Sequence, residues 1–376
     1  MIRILQIVNI MDRAGLETML MNYYRNIDRK KVQFDFMVHR NKEGAYDKEI
    51  ESLGGKIYRA PRLFPQNYIS YFRFMNSFFR EHKEYKIVHS HIDSMSFFPL
   101  FAALLNKVPI RIAHSHSTKI DFNFKYPIKR ICKYFLPYIA NYFFSCGVEA
   151  AKFLFPSKNC LLVKNAINVD LFAFNASKRE LLRKLFNLEK EFVVGHVGRF
   201  NYIKNQLFLL EVIAEVKKIQ NNVLLLLIGK GEDELKIRDK AKTLGIEKNV
   251  RILIDRSDVN ELYNVMDAFI MPSLFEGLPL VCVEAQTNGL PCLFSDTISK
   301  EILLTTNSSF FSLKNSAKDW ALKIFQLNKC RNPNSVYEVN NKGFNIVHES
   351  KNLQQWYEDA YNGTIGKVYE NSDDRS

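Results

Sequence analysis

Along the chain, short strand-like runs rich in apolar residues alternate with longer stretches in which apolar positions recur every third or fourth residue. The first series of runs is Arg3–Val8, Val32–Val38, Ile87–His91, Ile110–Ser115, Tyr142–Ser145 and Leu161–Val163. A short continuous apolar run predicts a strand buried on both faces, as in a parallel sheet. Between the runs, Leu16–Asn26 and Tyr68–His82 have helical spacing. The pattern then restarts, with strands predicted at Phe192–Val197, Val223–Ile228, Arg251–Ile254, Ala268–Met271 and Pro291–Phe294. Helices are predicted near Asn205–Ile219, Glu232–Leu244, Asp258–Val265 and Leu280–Thr287. Alternation of this kind predicts an α/β protein with helices on both faces of each parallel sheet. Residues 165–180, with Asn165, Asn168 and Asn175, read as a junction. The expectation is therefore two doubly wound, Rossmann-like domains, 1–170 and 171–342, facing each other across a cleft. A last helix, about 343–362 and carrying Trp356, is expected to pack back on the first domain. The polar tail, 363–376, is expected to be disordered.

Composition changes this picture little. With 376 residues, 47% apolar and 25% charged, the chain has the make-up of a two-domain globular protein. Its apolar start is cut short by Asp12 and Arg13 and reads as a first strand rather than a secretion signal. No apolar stretch approaches the length that spans a bilayer. The six cysteines form no C-x-x-C pair, which points to reduced thiols in the cytoplasm.

Charge adds more. The net charge is +13, and residues 1–170 hold 26 Lys+Arg against 14 Asp+Glu. The second half is nearly balanced, so the first half is the one expected to meet an anionic partner. Residues 122–144 interleave Lys125, Lys129, Arg130 and Lys133 with Phe122, Phe124, Tyr126, Tyr134 and Phe135. Residues 62–86 repeat this flavour with Arg62, Arg73, Arg80 and several Phe and Tyr. Such segments either lie in an anionic lipid interface or are core helices with solvated basic faces.

The chemistry concentrates where predicted strands end. Glu276-Gly277-Leu278-Pro279-Leu280 leads to Glu284, with the first glutamate in a loop and the second inside the following helix. The helix amino terminus there offers unpaired N–H groups to an anion. Strand Phe192–Val197 runs into Gly198-Arg199, followed by Lys204-Asn205. Gly198 permits close approach of a ligand, and Arg199 and Lys204 supply cations suited to phosphate oxygens. Gly229-Lys230-Gly231-Glu232 matches neither a dinucleotide fingerprint nor a P-loop, and a tight strand-to-helix turn accounts for it. Gly15 stands where the first helix starts. His89-Ser90-His91 and His114-Ser115-His116 each place two imidazoles on one strand face. A metal there is one reading. Buried or cleft-edge histidines are the other, favoured because no cysteine or carboxylate cluster completes a ligand set. Asp93 and Asp121 follow strands and serve either as acceptor contacts or as solvated loop acids.

Taken together, these motifs resemble the retaining GT-B glycosyltransferases of family 4, especially those of bacterial capsule and exopolysaccharide synthesis. The resemblance covers nearly the whole chain. It rests on Gly15-Leu16-Glu17-Thr18, Arg111-Ile112-Ala113-His114-Ser115-His116, Gly198-Arg199 with Lys204-Asn205, and Pro272-Ser273 leading into Glu276 and Glu284. The chain departs from the family pattern at Ala14, Ala166 and Ile254, where glycine is common.

The resemblance implies roles. Glu276 would hold sugar hydroxyls near the anomeric carbon, Glu284 the ribose, and Arg199 and Lys204 the diphosphate. His116 would lie near the donor sugar. Gly15, Gly198, Gly277, Leu278 and Leu280 would line the donor. The implied reaction moves a sugar, most naturally from a UDP-sugar, to a hydroxyl acceptor with retention of anomeric configuration. A lipid-linked glycan at the inner face of the cell membrane is the implied acceptor. No D-x-D occurs, so neither a metal nor another cofactor is expected. Two alternatives are a nucleotide-sugar epimerase of the same architecture and a non-catalytic partner of another transferase. Nucleic acid is not an expected partner, for no signature of it appears.

Overall fold

The computed structural model describes residues 1–120, 124–327 and 330–365. Asp121, Phe122 and the tail from 366 onward lie outside the described residues. The chain forms two compact units. One comprises Met1–Ala166 and the chain from Ile346; the other is Ile167–Asn345.

The first unit is built on seven parallel strands: β1 (Ile2–Val8), β2 (Val32–Val38), β3 (Ile57–Arg59), β4 (Ile87–Ser90), β5 (Ile110–Ser115), β6 (Tyr142–Ser145) and β7 (Leu161–Leu162). Their order is β3-β2-β1-β4-β5-β6-β7. The direction of winding reverses between β1 and β4, which are paired in parallel from Ile4 opposite Ile87. Every residue of β2 is buried, the polar Gln33 and Asp35 included, as in a strand covered on both faces. Asp35 is the exception in kind: it is buried in β2 but takes two bonds from Arg3 and one from the Tyr85 hydroxyl. The final helix, Ile346–Asn362, returns to this unit. Its Trp356 meets Phe144 at 4.6 Å between ring centroids, and its Tyr357 meets Phe34 at 5.9 Å.

The second unit has six parallel strands: β8 (Phe192–Val197), β9 (Val223–Ile228), β10 (Val250–Leu253), β11 (Ala268–Met271), β12 (Cys292–Ser295) and β13 (Ser308–Phe311). The order is β10-β9-β8-β11-β12-β13, the doubly wound arrangement with its reversal between β8 and β11. Its core gathers Val194, Leu225, Leu227 and Ile270 from the sheet with Leu209, Ile213 and Trp320 from the helices.

The apolar runs placed most strands within a residue or two. They missed β3 and β13, which are short outer strands with partly exposed residues and therefore weak patterns. Phe97–Leu105 is a helix so apolar on every side that it carries no helical period. Asn175 caps the helix Ala176–Leu185 by accepting the Lys178 N–H at 2.9 Å.

Candidate active site

In an open α/β sheet, loops leaving adjacent strands on either side of the winding reversal enclose a crevice. In the second unit those loops follow β8 and β11. After β8, the Asn201 side chain accepts the Lys204 N–H at 3.1 Å and closes the short turn Tyr202–Lys204. Asn205 follows in a left-handed conformation (φ 56°) and donates from its side chain to the Pro272 carbonyl at 3.1 Å. The Leu274 N–H donates to the Ile203 carbonyl at 2.8 Å. These two bonds stitch the loop after β8 to the loop after β11. A third loop joins them, because the Ser299 N–H donates to the Glu276 carbonyl at 3.3 Å and Glu276 bridges Ile298.

The stitching brings Lys204 Nζ to 2.6 Å from Glu276 Oε1, with 15% and 18% of the side chains exposed. Gly198 lies against the lysine. A Cβ at that position would lie 3.2 Å from Lys204 Cε and crowd the lysine stem. Arg199 is not part of this pair. Its guanidinium is exposed and bonds Glu232, in the turn after β9, at 3.0 Å.

The helix Leu280–Thr287 starts four residues beyond Glu276, with Pro279 at its cap position and no side chain capping it. Gly277 is partly exposed, whereas Leu278 and Leu280 are buried. Inside this helix Glu284 is buried and accepts the Tyr263 hydroxyl at 2.7 Å. Burial raises its carboxyl from 4.5 to about 7, while the Tyr263 bond works in the opposite direction. The second unit therefore offers an ammonium, an uncapped helix end, an accessible carboxylate and a carboxyl poised to ionise near neutrality. That set can grip an anion and accept hydroxyl protons in hydrogen bonds.

The first unit carries the other predicted positions at its own reversal. Gly15 opens the helix Gly15–Asn26 after β1; the cap residue Ala14 supplies no side-chain bond, and the space where a Cβ would stand is open. Glu17, in the first turn, is buried, and burial raises it to about 7. The four histidines do gather. His89 Nε2 lies 3.1 Å from His114 Nδ1, and His91 Nδ1 lies 3.0 Å from His116 Nε2. Gln6 and Tyr357 occupy the outer nitrogens of His91 and His89. His89, His91 and His114 could geometrically share an ion, their nitrogens lying within 4.8 Å of one another. Burial holds all four imidazoles below the usual range. Asp93 is half-buried and accepts the His116 N–H at 2.8 Å and the Ser117 hydroxyl at 2.9 Å, so it is a loop anchor rather than a solvated acid.

Three contributors were not found by sequence reasoning. Tyr263 sits far from Glu284 along the chain, and no pattern announces their contact. Asn201 was findable, since an Asn three residues before Lys204 is a capping signal. Glu232 reads in the sequence only as part of a turn.

Comparison with known proteins gives the family of the chain. Residues 177–343 match the family model described as glycosyl transferases group 1. The putative glycosyltransferase EpsF of Bacillus subtilis is 36% identical over 309 residues, covering 80% of each chain. The chain belongs to the group 1 glycosyltransferases. A second relative of this glycosyltransferase is the Escherichia coli UDP-Gal:alpha-D-GlcNAc-diphosphoundecaprenol alpha-1,3-galactosyltransferase. It is 26% identical over 308 residues, covering 74% of this chain and 76% of the relative. Among solved structures, Anabaena Alr3699/HepE in complex with UDP superposes with a TM-score of 0.73 at 17% identity. That match covers 97% of this chain and 98% of the other and supports the GT-B type of fold. This glycosyltransferase thus pairs the E-x7-E segment with a doubly wound sheet whose reversal sits under it.

Proposed function

We propose that this glycosyltransferase is a retaining enzyme of family 4. It would move a sugar from a UDP-sugar to a hydroxyl of a lipid-linked saccharide in capsule or exopolysaccharide synthesis. The carrying observation is the Lys204–Glu276 pair, held by three loops beside the uncapped start of Leu280–Thr287. A diphosphate docked on that helix end takes Lys204 as its counter-charge, which frees the Glu276 carboxylate to accept sugar hydroxyls. Glu284 accepts from the ribose, with Gly198, Gly277, Leu278 and Leu280 shaping the wall. Arg199 exchanges its exposed partner Glu232 for phosphate oxygens. The roles of Gly15 and His116 towards the donor rest on the motif resemblance alone.

In the reaction, the bond from the anomeric carbon to the diphosphate oxygen breaks, and its electron pair leaves with UDP. The acceptor oxygen bonds the anomeric carbon on the same face, and the acceptor proton passes to a departing phosphate oxygen. Lys204, Arg199 and the helix end stabilise the charge that develops on the leaving group. These positive groups do the work a bridging metal would otherwise do, so turnover is expected to survive chelation. The lipid-linked acceptor is supported by the name of the E. coli relative.

The test uses the purified full chain with a panel of UDP- and GDP-sugars and a polyprenyl-diphosphate saccharide acceptor. Expected are a rise in melting temperature with UDP, product with the donor's anomeric configuration, and unchanged rate in EDTA. Inverted product, or an epimer formed without acceptor, overturns the reading.

A further inference from the structure

Six polar side chains in the first unit join in one unbroken series of hydrogen bonds. Strand register puts them together. Gln6 of β1 stands opposite His89 of β4, and His89 stands opposite Ile112 of β5, two residues before His114 and so on the same face. The series starts at His116 Nε2, 3.0 Å from His91 Nδ1. His91 Nε2 lies 2.8 Å from the Gln6 side-chain oxygen, and the Gln6 amide nitrogen lies 3.4 Å from the Tyr357 hydroxyl. That hydroxyl is 2.7 Å from His89 Nδ1, and His89 Nε2 is 3.1 Å from His114 Nδ1. Five of the six groups are buried; His116 alone is partly exposed.

Such a series has a direction, because a neutral imidazole holds one proton and a donor at one nitrogen makes an acceptor of the other. Burial holds all four rings below the ordinary histidine range, so they are neutral at neutral pH. Gln6 sets the direction, since its two ends are not equivalent. Its oxygen can only accept, so His91 carries its proton on Nε2 and has its lone pair on Nδ1. His116 must therefore donate from Nε2, which leaves its own lone pair on Nδ1. The Gln6 amide can only donate, so the Tyr357 oxygen accepts and the hydroxyl proton goes to His89 Nδ1. His89 then donates from Nε2 to His114. The His114 Nε2–H closes the series, buried and without a partner among the described residues. All four rings thus share the Nε2–H tautomer.

His116 is also held in place. Its backbone N–H donates to Asp93 at 2.8 Å, and its ring stacks on His114 with centroids 4.0 Å apart. Among the described residues its only ring bond is the one to His91, made through Nε2.

We propose that Gln6 and His91 are positioning residues that fix His116 with Nδ1 unprotonated, so that the ring accepts a hydrogen bond from a hydroxyl of the donor sugar. This rests on the proposed reading that His116 lies beside that sugar. Two consequences follow from the lone pair. The sugar position it meets must bring an O–H or N–H, because a carboxylate or ether oxygen would set lone pair against lone pair. The ring also has no free proton to give a leaving group, since its one N–H is committed to His91.

Long-range proton–nitrogen correlation spectra of the full chain test this, with isotope-labelled histidine at pH 8. Only eight rings contribute, and His116 is assigned as the signal missing from His116→Gln. The parent should show His116 as the Nε2–H tautomer. Gln6→Met removes the acceptor that sets the direction, so His116 should populate both tautomers and kcat should fall about five-fold with UDP affinity unchanged. Tyr357→Phe interrupts only the far branch, and His116 should keep its tautomer. A role in packing alone would lower the melting temperature of both variants and leave the tautomer unmoved in both. Adding a UDP-sugar that turns over should shift the His116 Nδ1 resonance, whereas UDP alone should not. The proposal fails if His116 carries its proton on Nδ1 in the parent, if Gln6→Met keeps a single tautomer, or if the sugar leaves Nδ1 unmoved. The tautomer spectra need no donor, so a parent with the expected tautomer but no transfer counts against the transferase reading and not against the positioning.

Discussion

Lys204 and Glu276 neutralise each other in a place that water reaches only in part. On the proposed reading, replacing Lys204 by Ala removes the charge set against the departing diphosphate, and it leaves a half-buried carboxylate without its partner. Turnover is expected to fall about a hundred-fold, with a smaller change in UDP binding; steady-state kinetics with UDP titration checks this. Glu284 makes a pH-dependent prediction. Its folded pKa, about 7, stands above the unfolded value, so the native state holds an extra proton between about pH 4.5 and 7. Stability from this group is therefore present at low pH and lost as pH rises through that window. Glu284→Gln keeps an acceptor for Tyr263 and removes the buried charge. Its melting temperature should exceed the parent's at pH 8 and not at pH 5. Ribose hydroxyls favour the ionised carboxylate, so uridine, which has no titrating phosphate, should bind about ten-fold more weakly at pH 6 than at pH 8 by calorimetry. Both glutamates were legible in the sequence because their spacing is a motif. The division of the two cations was not: Lys204 goes to Glu276 and Arg199 to Glu232 because long-range loop bonds decide it, and those leave no local pattern.

At the scale of elements, the loops after β8 and β9 interlock through glycine. Gly229 has φ +147°, and a Cβ there would stand 2.0 Å from the Gly198 carbonyl oxygen; one on Gly231 would stand 2.1 Å from that of Phe200. Gly229→Ala should cost about 3 kcal/mol and disturb the Lys204 turn as well, seen as a lower urea midpoint together with lost UDP binding. The turn that the sequence explains as simple strand-to-helix geometry is thus also a packing joint. The ladder of β4 and β5 acts in the opposite sense to Glu284. His89, His91 and His114 are buried with pKa values below the ordinary 6.5, so the unfolded chain binds protons there that the native chain refuses. Their contribution to stability is intact above about pH 6.5 and is lost as pH falls below it. The paired spacing His-x-His shows that the two rings of each pair share one strand face. It could not show that Gln6 and Tyr357 complete their bonds, since Tyr357 arrives from the far end of the chain.

On the scale of the whole molecule, the chain leaves the first unit after Ala166 and re-enters it at Ile346. The apolar runs made the two sheets legible, since fully buried parallel strands advertise themselves. The sequence leads one to expect the last helix on the first unit, but the contacts that hold it there, such as Trp356 with Phe144 and the Asp28 N–H with the Gln354 side chain at 2.9 Å, are ones that sequence spacing does not encode. Truncation after Asn345 should leave the second unit folded and the first open to protease. Limited proteolysis with mass spectrometry reads this directly, and survival of an intact fragment 1–166 would contradict it. The same return of the chain bears on biosynthesis. On the ribosome, everything needed for the second unit has been made before the helix that covers Phe34 and Phe144 emerges. At about 5–20 residues per second, the first-made half waits about 10–40 s for its last piece. During that interval its nascent aromatic face is the part of the molecule most in need of a chaperone.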